Sequence, residues 1–555
     1  MPTNVVVIGL DSAPPELIEP WVAQGKLPVL GGLMTQGASG VLRSTIPPLS
    51  PAAWSSFATG MNPGKHGVFD HAYRHPASYE IVPTNGRRRA GRTLWQLIGE
   101  QGGRVGVINV PETYPPEPVN GFLITGMSTP SDDSDFCYPP SLAHELEKAI
   151  GGYKVYGPRS KEDLDRALAG WHETSEMRLR AAGYLMKAYH PQFMIVVLQE
   201  TDAVQHRFWK YMDPDHPQYE AEGARRYGDA ILKLYQSIDV NLHLLLDHVD
   251  DDTLVIVMSD HGAGAIHKWL YLNHWLVREG LIRFRRSPVV RLKQALYRLG
   301  YTPGNLMNVA MRLRLGVTDR TINRVKKSSS ARNLLFHMFL SFEDVDWSRT
   351  QAYTLGGNMT GIYVNLRGRE PAGCVAPGAE YEAVRDDIIA RLQKLEDKER
   401  GVRVPARVYR REELYDGPFL DRAPDVIFDT YDERYVGFGG QEFTSNTVMA
   451  PSPLFNGCHR RDGIVVLKGG PVRAGVQLPP HDIADLAPTI LHLLGYAVPA
   501  DMDGRVMADA LPADYLPQYP IRFTEAGPTT ADEDSGFSRS EAGEVAERLK
   551  QLGYL

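Results

Sequence analysis

Residues 5–12 read VVVIGLDS, an unbroken apolar run from Val5 to Leu10 that ends on an acid, Asp11. Two later stretches repeat the device. FMIVVLQETD runs from Phe193 to Asp202, and TLVIVMSDHG runs from Thr253 to Gly262 and sets Asp260 and His261 just past its last apolar residue. Short, β-branched runs with no polar alternation are strands buried on both faces, as in a parallel sheet covered by helices. In open α/β sheets, ligands bind in the crevice beyond the carboxyl ends of the strands. The three acids are therefore placed where chemistry is expected.

Working outward, Arg104–Val110, Gly361–Leu366 and Gly463–Leu467 read as further strands. Between them lie helical patterns: Leu142–Ile150, Glu173–Ala188, Tyr227–His248 and Glu380–Leu395. The alternation predicts an α/β fold, a doubly wound, mostly parallel sheet sandwiched by helices. One segment departs from it. From Arg283 to Arg332 there are thirteen basic residues against the single acid Asp319, and Val289, Val290, Leu292, Leu296 and Leu299 are spaced to share one helix face. This reads as an inserted basic helical cap over 279–344, between core segments 1–278 and 345–510. Residues 511–555 follow as a loose linker and a last helix, Glu541–Leu552.

The 555 residues are 43% hydrophobic and 23% charged, with a net charge of −7. That supports a sizeable core and argues against a global field for nucleic acid, so no specific duplex binding is expected. The basic cap leaves peripheral contact with an anionic surface open. Three scattered cysteines, Cys137, Cys374 and Cys458, argue against a disulfide scaffold and a zinc knuckle. The N-terminus reads as a strand and not as a signal peptide, and no run is long enough to span a bilayer, so a cytoplasmic protein is expected. Oligomeric state is not legible.

Histidines accompany the acids. His206 lies four residues after Asp202, sharing its face if a helix begins there. His261 adjoins Asp260, and His459 lies in GCHRRDGIVVLKG. Three carboxylates repel one another unless cations hold them, and zinc takes about four N, O or S ligands. Six side chains thus suit two divalent ions, zinc first and manganese second. Ser50, in STIPPLSPAAWSSFATGMNPGKHG, stands before a helical pattern from about Ala52, where orphan N–H groups favour anions. Taken alone, Asp11, Asp202 and Ser50 fit a plainer role as helix caps and His459 one as a surface or core histidine, whereas Asp260-His261 with its flanking glycines is harder to explain that way.

In this order, Asp11, Ser50, Asp202-x-x-x-His206, Asp260-His261 and His459 resemble the alkaline phosphatase superfamily, and within it the type I phosphodiesterase/nucleotide pyrophosphatase branch and its bacterial phosphohydrolase or phosphomutase relatives. GLDSA, ATGMNPGKHG, SDHG, GIYVNLRGREPAG and DIADLAPTILHLLG carry the resemblance from Val5 to about Met507. It implies an alkaline phosphatase-like core. It also implies one metal on Asp11, Asp260 and His261 and a second on Asp202, His206 and His459, with Ser50, nine residues before Thr59-Gly60, as nucleophile. One position departs from the branch: relatives carry an Asn that contacts phosphate where this chain has His71, which is therefore a candidate substrate contact. Ser50-Pro51-Ala52-Ala53 lacks the sulfatase string.

The expected activity is a metal-dependent phosphohydrolase that cleaves small-molecule or lipid phosphate esters, diester or nucleotide pyrophosphate bonds favoured, through a phosphoseryl intermediate. A phosphomonoesterase or phosphotransferase using the same site is the alternative, and a non-catalytic binding protein is a third class. His66 is expected to pack a helix base, Asp485 and Thr489 to start a helix, and Asn365 and Arg369 are weighed as substrate-facing.

Overall fold

Within Asn4–Leu10, Val6, Ile8 and Leu10 enter one hydrophobic cluster, while Val5 and Val7 enter another on the opposite face. Met194, Val196 and Leu198 divide from Phe193, Ile195 and Val197 in the same way. Each strand is apolar throughout because both faces are covered. The computed structural model describes residues 4–157, 163–306, 338–356, 360–439, 443–452, 455–527, 530–532 and 536–551. In it the strands form one large sheet in the order Val476–Gln477, Ala38–Arg43, Asp462–Lys468, Thr253–Met258, Asn4–Leu10, Phe193–Leu198, Val105–Val110, Gly121–Thr125 and Cys137–Tyr138. The run from Thr253–Met258 to Gly121–Thr125 is parallel, and Asp462–Lys468 is antiparallel to both its neighbours. Helices such as Leu164–Tyr189, Glu200–Met212 and Ala230–Asn241 cover one face, and Ser50–Thr59, Leu94–Glu100 and Leu486–Leu493 cover the other. This is the α/β sandwich expected, with the acid-bearing strands as three adjacent central members.

Gly361–Val364 is a strand, but of a different sheet. It pairs antiparallel with Ala352–Tyr353 and Val426–Thr430, and Pro405–Arg410 completes a four-stranded unit over its own hydrophobic cluster. The run looked like the others because Ile362 and Val364 are equally buried. Asn365 and Arg369 belong to this unit's framework and do not face a substrate. Asn365 is buried, accepts from the Tyr79 hydroxyl and donates to the carbonyls of Trp347 and Thr350. Arg369 pairs with Asp425 at 2.6 Å and with Glu370 at 2.8 Å. Asp425, fully buried, also accepts from Tyr381 and from the Val364 N–H, both at 2.6 Å. Replacing Asp425 with Ala strands Arg369 and two further donors. Loss of one partner of a buried pair costs about 3–5 kcal/mol, so Asp425→Ala should lower the melting temperature by several degrees. An unchanged melt would remove this network from the account.

The helix predicted in the basic segment runs Pro288–Arg298, with Ser287 capping Val290 N–H. Of the apolar residues spaced to share one face, Val290 lies apart from Val289, Leu292 and Leu299. Val290 and Tyr297 pack inward, and Lys293 pairs internally with Asp344 at 2.9 Å, while Val289, Leu292 and Leu299 stay exposed. Residues 307–337, including Arg312, Arg314, Lys326 and Lys327, lie outside the described residues. The stretch after Met507 is less loose than its composition suggested. Leu511 and Tyr515 enter the core, and Phe523–Thr524 pairs with Val498–Pro499. In the last helix, Arg539–Gln551, Val545 and Leu549 are buried against Phe537, and Glu541 and Arg548 bond to Tyr114 and the Thr129 carbonyl of the body. Among the described residues no helix is long and apolar enough to cross a membrane.

Candidate active site

The register of the central strands sets the site. Leu10 pairs with Leu198, and Gly9 pairs with Met258, so Asp11, Asp202 and Asp260 emerge at one level at the carboxyl end of the sheet. None of them, nor Ser50, serves as a helix N-cap. Pro14, Gln199 and Leu49 hold the corresponding N-cap positions, none with a side-chain cap bond. Asp260 instead accepts the Ser12 N–H at 3.2 Å. Ser12 reaches it in the left-handed region, at φ 66°, a conformation that costs a non-glycine residue of order 1 kcal/mol and persists only where its surroundings impose it. Ser50 is the first residue of helix Ser50–Thr59, and its Oγ lies 3.1 Å from His261 Nε2.

The three histidines share one arrangement. Nδ1 of His206 meets the Gly457 carbonyl at 2.7 Å, Nδ1 of His261 meets that of Gly262 at 3.0 Å, and Nδ1 of His459 meets that of Pro48 at 2.9 Å. A carbonyl only accepts, so each Nδ1 carries a proton, and each ring turns its Nε2 toward the site. Such outer partners orient metal-ligating imidazoles generally. His206 Nε2 and His459 Nε2 then stand 3.2 Å apart, with Asp202 Oδ1 at 3.2 Å and 3.5 Å from them. Donors about 2.0–2.1 Å from a tetrahedral ion lie roughly 3.3 Å from one another, so this triangle has the spacing of a zinc site. On the other side His261 Nε2 lies 3.2 Å from Asp260 Oδ2 and 3.7 Å from Asp11 Oδ1. The donor atoms of Asp202, His206 and His459 fall within 4.8 Å of one another, and those of Asp11, Asp202 and His261 do likewise, so Asp202 reaches toward both groups.

The electrostatics ask for positive charge. Asp11 Oδ1 and Asp260 Oδ2 are buried and meet no hydrogen-bond donor among the described residues. Burial, with the charges of Asp260 and Asp202 added, pushes the Asp11 carboxyl well above its usual range, and burial pushes Asp260 up to about 7. Burial raises Asp202 too, but His206 and His459 outweigh it and hold that carboxyl well below the usual range. His206 is raised because the Asp202 charge overcomes the burial that lowers it. Burial and the neighbouring His459 hold His261 well below its ordinary value. Buried carboxylates that repel one another, beside imidazoles whose Nε2 atoms turn toward them, fit divalent cations.

His71 is buried, and burial with the His459 charge pushes its pKa down to about 3, so it stands beside this cluster as a neutral ring. His66 packs as expected, its Nε2 3.0 Å from Ser56 Oγ on the Ser50 helix. Asp485 accepts the Asp482 and Arg505 N–H groups, and the Thr489 hydroxyl donates to the Asp485 carbonyl.

Sequence reasoning missed the residues that tie the strand ends together. Ser259 Oγ accepts the Ala13 N–H at 2.7 Å, the Thr201 hydroxyl donates to the Asp11 carbonyl at 2.6 Å, and Gln205 donates to the Ser12 carbonyl at 2.7 Å. Trp54, on the Ser50 helix, packs against Gly9, where a Cβ would meet its ring at 2.6 Å. The one available signal was Gly9 itself, a glycine inside an otherwise β-branched strand.

Comparison with known proteins names the class: the chain is a hydrolase of the alkaline phosphatase superfamily, acting on phosphoester bonds. It belongs to the type I phosphodiesterase / nucleotide pyrophosphatase family, whose family model matches residues 5–442. Among solved structures it is similar to phosphonoacetate hydrolase from Sinorhizobium meliloti 1021 in complex with phosphonoformate, at 16% identity and a TM-score of 0.49, covering 88% of this chain and 94% of that one. A search of curated proteins returned no match.

Proposed function

We propose that the protein cleaves phosphodiester or nucleotide pyrophosphate bonds through a phosphoseryl intermediate on Ser50. The observation that carries this reading is Ser50 Oγ at a helix start, 3.1 Å from His261 Nε2, beside buried Asp11 and Asp260 oxygens that lack donors. Asp11, Asp260 and His261 with Ser50 would hold one cation, and Asp202, His206 and His459 the other, with zinc the first choice and manganese the second. Bound there, such ions lower the pKa of a hydroxyl and offset charge on a transferring phosphoryl group.

The chain's own groups do the rest. Ser50 Oγ loses its proton to solvent and bonds to phosphorus. The ester oxygen departs in line on the far side with the electrons of the broken P–O bond. Water then attacks phosphorus, giving a proton to solvent, and the serine oxygen leaves and is reprotonated. The Ser50 helix starts with Pro51 in its first turn, a residue whose fixed φ suits that position, and its positive end favours the anionic group. His71, neutral in this environment, would hydrogen-bond a phosphoryl oxygen.

The diester preference rests on the family, type I phosphodiesterase / nucleotide pyrophosphatase, and a cavity of 720 Å³ that opens from Asp202 and His206 has room for a bulky ester group. The kcat/KM for bis-p-nitrophenyl phosphate should exceed that for p-nitrophenyl phosphate by about tenfold or more, the size expected when a pocket contact is lost with the missing group. A tenfold preference for the monoester would reverse the assignment.

A further inference from the structure

Ser50, His261, His459 and His206 form a row. Ser50 Oγ is 3.1 Å from His261, His261 stacks on His459 with centroids 3.8 Å apart, and His459 Nε2 is 3.2 Å from His206 Nε2. The 720 Å³ cavity opens at the far end of that row. Asp202, His206 and Arg207 line it, whereas Ser50, Asp11 and His261 do not. In an in-line displacement the leaving group departs on the side opposite the nucleophile, so this cavity stands where a leaving group goes.

Its wall includes Arg548, from helix Arg539–Gln551. That helix lies beyond the residues matched by the family model, and it is fastened to the body. Phe537 stacks on Tyr114 at 5.8 Å, and the Tyr114 hydroxyl donates to Glu541 at 2.8 Å. The Arg548 guanidinium lies 3.3 Å over the Tyr156 ring, and its Nη1 donates to the Thr129 carbonyl at 2.9 Å. Among the described residues it makes no ion pair. An arginine held by a ring face and a carbonyl, with donors left over on a cavity wall, is arranged for a planar or tetrahedral oxyanion. Lys154 and Arg166 line the same cavity. So do the acids Asp132, Asp133 and Glu173, of which Asp132 already accepts the Val155 N–H.

We propose that this cavity is the leaving-group pocket and that Arg548 is a specificity-determining residue that recognises an oxyanion, carboxylate or phosphate-like, carried by the leaving group. The inference rests on Ser50 as nucleophile.

The test uses the full-length, metal-loaded protein and three methyl aryl phosphates, whose aryl groups bear a 4-carboxylate, a 4-phosphonate or a 4-carboxamide. In wild type at least one anionic ester should have the lower KM. In Arg548→Gln the ratio of the carboxamide KM to that anionic KM should fall about tenfold, the scale of one charge-assisted hydrogen bond. The change should sit in KM, and Arg548→Lys should restore part of it. The ester that responds distinguishes carboxylate from phosphate-like recognition. Calorimetric titration with the product phenols alone, 4-hydroxybenzoate and 4-hydroxyphenylphosphonate, should show the same tenfold weakening for the preferred anion. An unchanged melting temperature in Arg548→Gln certifies a docked helix; if that variant melts early, Arg548→Lys carries the comparison. Equal ratios and equal phenol affinities in wild type and variant overturn the inference. If wild type cleaves none of the esters yet binds the anionic phenol through Arg548, the nucleophile reading fails and the pocket stands.

Discussion

Ser50→Ala should reduce turnover to below about a hundredth of the wild-type rate while leaving cation binding in place. Ser50 Oγ, 3.1 Å from His261 Nε2, is the proposed nucleophile, whereas the side chains that would hold the ions come from Asp11, Asp202, His206, Asp260, His261 and His459, tied to other elements. Covalent catalysis divides one difficult displacement into two easier ones, and removing the nucleophile usually costs more than a hundredfold. Burst kinetics with bis-p-nitrophenyl phosphate and metal analysis of the purified variant make the comparison. A variant that keeps a tenth of the rate points to direct attack by water and removes the phosphoseryl step. A variant that loses its metal shifts Ser50 from nucleophile toward ligand.

Exhaustive chelation should abolish activity and also weaken the fold, and metal analysis of the untreated protein should find close to two divalent ions per chain. The stability effect follows from the same geometry. Asp11, Asp202 and Asp260 converge in a buried crevice where Asp11 Oδ1 and Asp260 Oδ2 find no donor, and a ligand bound only by the native state at a hundred times its dissociation constant stabilises by about 2.7 kcal/mol. The melting temperature should fall on chelation, and zinc, then manganese, should restore both melt and activity. Full turnover in the chelated protein would be incompatible with the site as drawn. Loss of activity at constant melting temperature would show that the cations serve chemistry without holding the strand ends.

The parts that were legible in the sequence are those governed by short-range rules. An apolar run ending in an acid identifies a buried strand and the residue at its carboxyl end, because strand geometry leaves the next side chain at the rim of the sheet. Asp202 and His206 were recognisable as a pair because a helix brings residues four apart onto one face. The position of His459 was less accessible. It reaches the cluster through antiparallel pairing of Gly457–Arg460 with Gly262–Ala265, which sets it opposite Ala263, and pairing across some two hundred residues leaves no local trace. The same holds for Gly361–Val364, whose composition suits either sheet. Which sheet it joins is set by pairing with Val426–Thr430, some sixty residues on, beside Asp425, which accepts the Val364 N–H. In Pro288–Arg298 local spacing did not show which side turns inward: Val290, Tyr297 and Lys293, paired with Asp344, are buried, while Val289 and Leu292 are exposed, a division set by tertiary packing.

The contact between Gly9 and Trp54 joins two parts of the chain whose histories of change must then be linked. Gly9 sits two residues before Asp11, and Trp54 sits four after Ser50, so the ring against the bare backbone sets how far the serine helix stands from the acid-bearing strand. A methyl group at residue 9 has no room until the ring at residue 54 shrinks or tilts, and a tilt would carry the serine away from His261. In related chains these two positions should drift together or not at all: a small ring or aliphatic group opposite alanine, or tryptophan opposite glycine, with mixed combinations rare. The spacing of the catalytic halves is thereby recorded in the sizes of two side chains that take no part in the reaction.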